Sequence, residues 1–206
     1  MKAPAFFYIS FMKIIILEGS TASGKTRSAK ELVKIFCGNG IRCLLVEEDK
    51  TLMPILHHPN SEISKNHLLK IMNKTLKEKT DVIIFDRLHL TASAMTKSEI
   101  KKFEPIEKIL LQHEPLLVFL KVKENKIPSR VIDSIKYRQR SWEKRIWEKG
   151  TRKQVDQHYI EAQRKIAKKY AQSKLPKIII DSTDQNYAKI ARKIALMRAS
   201  DIMEDK

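Results

Sequence analysis

The chain has few cysteines and no long apolar run. The first argues against a disulfide-rich or cysteine-based metal protein, and the second against a membrane-spanning one. Its 206 residues include two cysteines, Cys37 and Cys43, whose spacing fits neither a metal motif nor a redox motif. We therefore predict a reducing, cytoplasmic location with both thiols buried. No stretch reaches the length of a membrane span, and the segment ahead of Met12 is too short for a signal peptide. We expect no membrane partner.

Acidic residues are scarce relative to basic ones. The chain has 24 Asp and Glu against 41 Lys and Arg, a formal net charge of +17. The positive electrostatic field of such a protein attracts anionic ligands, which include both nucleotides and nucleic acid. The net charge alone does not distinguish between these two classes of ligand. A hydrophobic fraction of 42% is enough for a core, and the length suits one α/β domain.

Glycine is also rare, yet two of the five glycines stand in one eight-residue stretch. This stretch follows the apolar residues 14–17 and matches the phosphate-binding pattern G-x-x-x-x-G-K-[ST] at every fixed position. The glycines let successive N–H groups face a polyphosphate, and the next helix points its positive end at the same anion. We predict ATP and Mg²⁺ as cofactors, with Lys25 reaching the outer phosphates and Thr26 ligating the metal. The candidate nucleotide-binding residues are Gly19, Ser20, Thr21, Ala22, Ser23, Gly24, Lys25 and Thr26.

Hydrophobic periodicity predicts strands that alternate with helices, so we expect a five-stranded parallel sheet with helices on both faces. The predicted strands are 14–17, 41–46, 81–86, 115–122 and 176–181. The predicted helices are 27–36, 62–78, a stretch from 90, 105–112, 127–135, 155–173 and 185–197. We find no repeat and no low-complexity linker, which predicts a single domain over 13–206 after an N-terminal extension, 1–12.

Two further strands end in acidic residues. In an open α/β sheet, ligands bind beyond the carboxyl ends of the strands, so these residues are expected beside the phosphate-binding loop. Asp86 closes the third strand and is a candidate magnesium ligand, with capping of the next helix as the alternative. Glu47 and Glu48 are adjacent, so only one faces the cleft; we favour Glu48, as proton acceptor or as a contact to the metal's water shell.

Four segments resemble the thymidylate kinase and deoxynucleoside kinase superfamily. Residues 16–26 (Ile-Leu-Glu-Gly-Ser-Thr-Ala-Ser-Gly-Lys-Thr) resemble its opening, and residues 85–94 (Phe-Asp-Arg-Leu-His-Leu-Thr-Ala-Ser-Ala) its Asp-Arg motif. Residues 114–122 and 178–184 resemble its fourth strand and closing segment, so the similarity runs through nearly the whole chain from residue 13.

The resemblance implies a P-loop NTPase fold and a kinase that moves the γ-phosphoryl group of ATP to a nucleoside or nucleoside monophosphate. It places Asp86 near the metal and Arg87 against the acceptor or the transferring phosphate. It also makes the basic stretch at about 136–153 a lid over the phosphates, with Arg130, Arg138 and Arg140 as candidate lid arginines. The predicted catalytic residues are Lys25, Glu48, Asp86, Arg87 and Arg138.

The sequence also departs from that superfamily. Residues 46–49, Val-Glu-Glu-Asp, lack the usual Arg-Glu-Pro or Glu-Pro, and Lys121 replaces an acid in the fourth strand. These departures leave the small-molecule acceptor open. Alternatives are a kinase for another hydroxyl, such as an antibiotic or a polynucleotide 5′ end, and a nucleotide-gated nucleic-acid-binding module. A homodimer also stays open. His57, His58 and His89 lack partners at metal-ligand spacing and are expected on the surface or in the cleft, with His89 near enough to Arg87 to touch an acceptor.

Overall fold

The computed structural model of the protein describes residues 12–56 and 59–203, except the side chains of residues 53, 54 and 199–203. In these residues five strands form one sheet in the order β2-β3-β1-β4-β5, and all neighbouring pairs are parallel. The predicted sheet is therefore confirmed, with strand ends that shift by one or two residues. The strands are β1 (Lys13–Glu18), β2 (Cys43–Val46), β3 (Val82–Asp86), β4 (Pro115–Lys121) and β5 (Lys177–Asp181). The predicted N-terminal extension, apart from Met12, and the pair His57 and His58 lie outside the described residues.

Helices connect the strands. They are α1 (Lys25–Gly38), α2 (Glu48–Thr51), α3 (Met53–Leu56), α4 (Ser61–Thr75), α5 (His89–Met95), α6 (Glu104–Leu110), α7 (Ile127–Asp133), α8 (Arg140–Trp147), α9 (Arg152–Gln172) and α10 (Tyr187–Met203). The sequence pattern predicts no helix between β2 and residue 62, and this prediction is wrong because the segment contains α2 and α3. Glu48 and Asp49 stand in the first turn of α2, where acidic side chains face the positive end of the helix. Pro54 stands in the first turn of α3, where no intrahelical N–H is needed.

The central strand β1 separates two apolar layers. Ile14 and Ile16 pack in one cluster with side chains of α4, α5, α6 and α9. Ile15 and Leu17 point to the other face and pack with α1 and α10. All four side chains are completely buried. A parallel strand covered on both faces has no polar side to show, which explains the unbroken apolar run that predicted it.

The two cysteines lie near a sheet edge. β2 is an outer strand and most of it is only half-buried. Cys43 on this strand is partly exposed and Cys37, in the last turn of α1, is exposed. The prediction that both thiols are buried is therefore wrong. Burial still raises the pKa of Cys43 to about 12, with a smaller contribution from Cys37, so the Cys43 thiol stays protonated. Among the described helices, none is both long and apolar enough to cross a bilayer.

Candidate active site

The phosphate-binding loop leaves the carboxyl end of β1 and ends in α1. Gly19 has φ +151°, and a Cβ there would lie 2.6 Å from the carbonyl oxygen of Leu120. Gly24 has φ +93°, and a Cβ there would lie 2.1 Å from a ring carbon of Tyr187. Both fixed glycines of the motif are thus required by backbone geometry and by close neighbours. Ala22 also has a left-handed backbone, with φ 61°, which costs an alanine about 1–2 kcal/mol.

Lys25 curls over this loop. Its side chain is buried, and Nζ donates hydrogen bonds to the carbonyl oxygen of Ser20 at 2.7 Å and to Oγ of Ser23 at 3.2 Å. Burial, helped by the charge of Arg87, lowers the pKa of Lys25 to about 7, although neighbouring carboxylates oppose the shift. Lys25 also lines a cavity of about 260 Å³. An anion entering this cavity would meet a cation that is already positioned and poorly solvated.

Thr26 and Asp86 meet beside Lys25. The Thr26 hydroxyl donates a hydrogen bond to Oδ2 of Asp86 at 2.5 Å. Asp86 is completely buried, and its Oδ1 has no hydrogen-bond partner among the described residues. Burial raises the pKa of Asp86, while the Lys25 charge opposes this. A hydroxyl and an orphaned carboxylate oxygen are hard oxygen ligands, so the pair fits Mg²⁺.

No group of three or more His, Cys, Asp or Glu side chains forms a metal cage in the described part of the chain. Mg²⁺ does not need such a cage, because it commonly takes one or two carboxylates together with substrate phosphates.

Glu18, which precedes the loop, holds the turn after β3. Its carboxylate is completely buried, and Oε1 accepts hydrogen bonds from the N–H groups of Leu88, Leu90 and Thr91 at 3.0, 3.1 and 3.2 Å. Its Oε2 accepts the Thr91 hydroxyl. The start of α5 is therefore capped by Glu18 and not by Asp86, which removes the capping alternative for Asp86. Glu18 is absent from the predicted site residues; an acid at the end of an otherwise apolar strand was the available signal.

Arg87 connects the ends of three strands. Its backbone is left-handed, with φ 69°, and Nη1 donates to the carbonyl oxygen of Gly19 at 2.9 Å. Its Nε lies 3.2 Å from Oε2 of Glu48. Burial would raise the pKa of Glu48, but Arg87 and Lys25 outweigh it, so the pKa lies below its ordinary value and Glu48 is ionised at neutral pH. Glu48 lines the cavity, whereas Glu47 is exposed and 3.9 Å from Lys30.

The predicted lid, residues 136–153, lies beside the cavity. Arg138 lines the cavity, and its guanidinium lies 4.5 Å from the ring centroid of Trp142. Trp142 is in turn fixed by a 2.9 Å hydrogen bond from Nε1 to Oγ of Ser134. Arg130 also lines the cavity, but it is buried and donates to the carbonyl oxygen of Ser182 at 2.5 Å. Arg140 is exposed and outside the lining, so two of the three candidate lid arginines are brought to the site.

Arg27, Tyr137 and Tyr187 also line the cavity. The Arg27 guanidinium lies 5.5 Å from the ring centroid of Tyr137 and 5.4 Å from that of Tyr187. The Tyr187 hydroxyl accepts a hydrogen bond from Arg130 at 3.2 Å. None of these three residues was predicted as a site residue, because they are far apart in the sequence and belong to no motif.

His89 does not reach the cavity. It is completely buried, and its Nε2 lies 3.0 Å from Oε1 of Glu107. Burial would raise the pKa of Glu107, but hydrogen bonds from His89 and Ser173 outweigh it and hold the pKa at about 2. The expectation of a surface or cleft position for His89, with contact to an acceptor, is wrong because the first turn of α5 turns this side chain into the core.

The sheet order, the loop after β1 and the flanking helices together define an α/β fold of the nucleotide-binding P-loop NTPase type. The fold is similar to the crystal structure of the YorR protein from Bacillus subtilis, which was solved in complex with phosphorylated GDP. The match has a TM-score of 0.61 and 16% sequence identity, and it covers 92% of this chain and 98% of that chain. At this identity the likeness establishes the fold. No protein-family model matches the chain, and no curated protein matches it.

Proposed function

We propose that the protein is an ATP-dependent kinase, similar to thymidylate kinase, that transfers the γ-phosphoryl group to a nucleoside or nucleoside monophosphate. One observation carries the proposal. The phosphate-binding loop, the ionised Glu48 with its partner Arg87, and Arg138 of the lid all line a single cavity, with Asp86 hydrogen-bonded to Thr26 at its base. A protein that only binds nucleotide has no need for a carboxylate and an arginine in the same cavity as Lys25 of the loop.

The donor is held by the loop. Backbone N–H groups of residues 19–26 bind the phosphates, and Lys25 donates to the outer ones once they replace its contacts with Ser20 and Ser23. Thr26 and Asp86 are the residues that would hold Mg²⁺. When bound, this ion neutralises charge on the transferring group.

The acceptor is expected in the cavity, beside the ion pair of Glu48 and Arg87. For a nucleoside, the ionised Glu48 accepts the hydrogen bond and then the proton of the attacking hydroxyl and orients its oxygen toward the phosphate. For a nucleoside monophosphate the attacking group is an anionic phosphate oxygen, which Arg87 and Arg138 bind instead. Arg87 fixes Glu48 and contributes positive charge, and Arg138 adds charge from the lid. Phosphoryl transfer depends mainly on positioning and charge stabilisation, so these groups account for the reaction without a covalent nucleophile.

The test is an assay of ADP formation with ATP, Mg²⁺ and a panel of nucleosides and nucleoside monophosphates, with the phosphorylated product identified by mass spectrometry. We expect one acceptor class to stimulate ADP release and to gain one phosphoryl group. The Lys25→Ala variant is the control for contaminating activity. ATP hydrolysis that no acceptor stimulates would contradict the proposal.

A further inference from the structure

We infer that the outward face of α8 is a docking surface for single-stranded nucleic acid. This surface consists of Arg140, Lys144 and Trp147, and we call it the α8 strip. It lies outside the residues that line the catalytic cavity. Binding to it is measured without turnover, so the inference succeeds or fails independently of the kinase activity.

The first argument is charge. Residues 136–153 contain eight Lys or Arg and only two acidic residues, a net charge of +6 in 18 positions. Lys136 pairs with Asp133 at 3.1 Å, and Arg152 pairs with Asp156 at 2.8 Å. Within the described residues the six other exposed cations of this segment form no ion pair; they are Arg138, whose guanidinium stacks on Trp142, and Arg140, Lys144, Arg145, Lys149 and Lys153. Uncompensated cations at this density favour a polyanionic partner.

The second argument is the geometry of α8. Positions 140, 144 and 147 are spaced i, i+4 and i+7, so they share one face of the helix. The opposite face buries Ile146, and Trp142 packs there against Tyr159 with ring centroids 6.5 Å apart. At a rise of about 1.5 Å per residue, the α8 strip is about 10 Å long.

Trp147 is the third argument. Trp142 packs against the apolar cluster of the lid, but Trp147 leaves 41% of its surface exposed. An indole that follows two cations on one helix face is the combination that binds single-stranded nucleic acid, since the cations follow the backbone and the ring stacks on a base.

The α8 strip lies next to the cavity in the sequence, so a nucleic-acid strand bound to the strip would run toward the cavity mouth. Arg138 and Tyr137 line the cavity, and α8 begins two residues after Arg138. Tyr137 is 73% exposed, which offers a second ring at the cavity mouth. An anionic membrane fits less well, because interfacial helices bury an apolar face in lipid and the apolar face of α8 is already buried in the protein.

The experiment measures fluorescence anisotropy of a labelled single-stranded oligonucleotide at several salt concentrations. We expect Trp147→Ala to weaken binding at least about five-fold without changing the salt slope, because a base stack is lost and no charge is removed. Lys144→Gln should reduce the slope of log affinity against log salt by about 0.7, the value for one phosphate contact on a single strand. Lys74→Gln on α4 removes the same charge outside the lid and should leave binding nearly unchanged.

Several outcomes would overturn the inference. Equal losses in Lys144→Gln and Lys74→Gln would mean that binding follows only the overall charge. Unchanged affinity in Trp147→Ala, with inorganic polyphosphate competing as well as the oligonucleotide, would mean a generic anion surface. Binding of phosphatidylserine vesicles without oligonucleotide binding would assign the strip to lipid. Thermal unfolding by circular dichroism checks that each variant is folded; Trp147→Leu replaces Trp147→Ala if the latter is not.

Discussion

Glu18 should control both the stability of the protein and the position of Arg87. The structure suggests replacing Glu18 with alanine, which removes the acceptor of three backbone N–H groups and one hydroxyl. Leu88 and Leu90 are completely buried, so water cannot replace these hydrogen bonds without rearrangement. Hydrogen bonds to charged groups contribute about 1.5–3 kcal/mol each and are not additive. We expect Glu18→Ala to lower the free energy of unfolding by about 3–5 kcal/mol, as in other losses of a buried charged partner.

The matched control is Glu18→Gln. Its side-chain oxygen can still accept from the three amides, so only the charge and the bond from the Thr91 hydroxyl change. We expect a loss of about 1–2 kcal/mol for this variant. Urea unfolding followed by tryptophan fluorescence measures both variants. Similar unfolding midpoints for Glu18→Ala and Glu18→Gln would refute the reasoning, because the amide acceptors would then contribute little.

The same two variants also test whether Glu18 holds Arg87 in position. Glu18 fixes the turn that carries Arg87 in its left-handed conformation, while the loop amides that bind phosphate lie on another segment. Folded Glu18→Ala protein should therefore lose kcat by more than ten-fold and keep most of its affinity for a fluorescent ATP analogue. Glu18→Gln should recover most of the kcat. Equal loss of nucleotide affinity and kcat would indicate a general collapse of the loop instead.

Four further substitutions follow from the site, the last of them as a control. Lys25→Met should lower the rate of phosphoryl transfer about 100-fold. The pKa of Lys25 is lowered from 10.5 to about 7, so between pH 7 and 10.5 the unfolded chain binds more protons than the folded protein, and the free energy of unfolding rises with pH. The variant lacks this group and should show a flatter rise in the same pH range. Asp86→Asn should reduce kcat, with partial recovery at high Mg²⁺, and an unfolded variant would show that Asp86 acts mainly in packing. Arg138→Ala should lower kcat while Arg140→Ala should not, since only Arg138 lines the cavity; equal losses measured in the ADP assay would contradict this placement.

The sequence predicts those parts of the molecule whose causes are local. The apolar runs that become β1, β3 and β4 are unmistakable because these strands are buried on the sheet interior. The glycines of the phosphate-binding loop form a pattern within eight residues. The position of Asp86 next to Thr26 follows from the rule that ligands collect at strand ends.

The contacts that were missed depend on partners distant in the chain. Glu18 binds amides about 70 residues away, and Arg27 meets Tyr137 and Tyr187 only in the folded protein. His89 carries no sequence signal that its helix turns it toward Glu107 rather than the cavity. The exposure of Cys37 was missed because its place in a helix does not show whether its side chain faces the core or the solvent.

The order of the sheet has a consequence for how such a protein could change over time. β1 stands in the middle, with β3 and β2 on one flank and β4 and β5 on the other. Under the proposed function, the flank of β2 and β3 handles the molecule that receives the phosphoryl group, and the other flank approaches the donor. Replacing the segment between β2 and β3 by another sequence would then change which acceptor the protein selects and leave the donor-binding residues unchanged. The replacement would have to keep an anionic side chain in contact with Arg87.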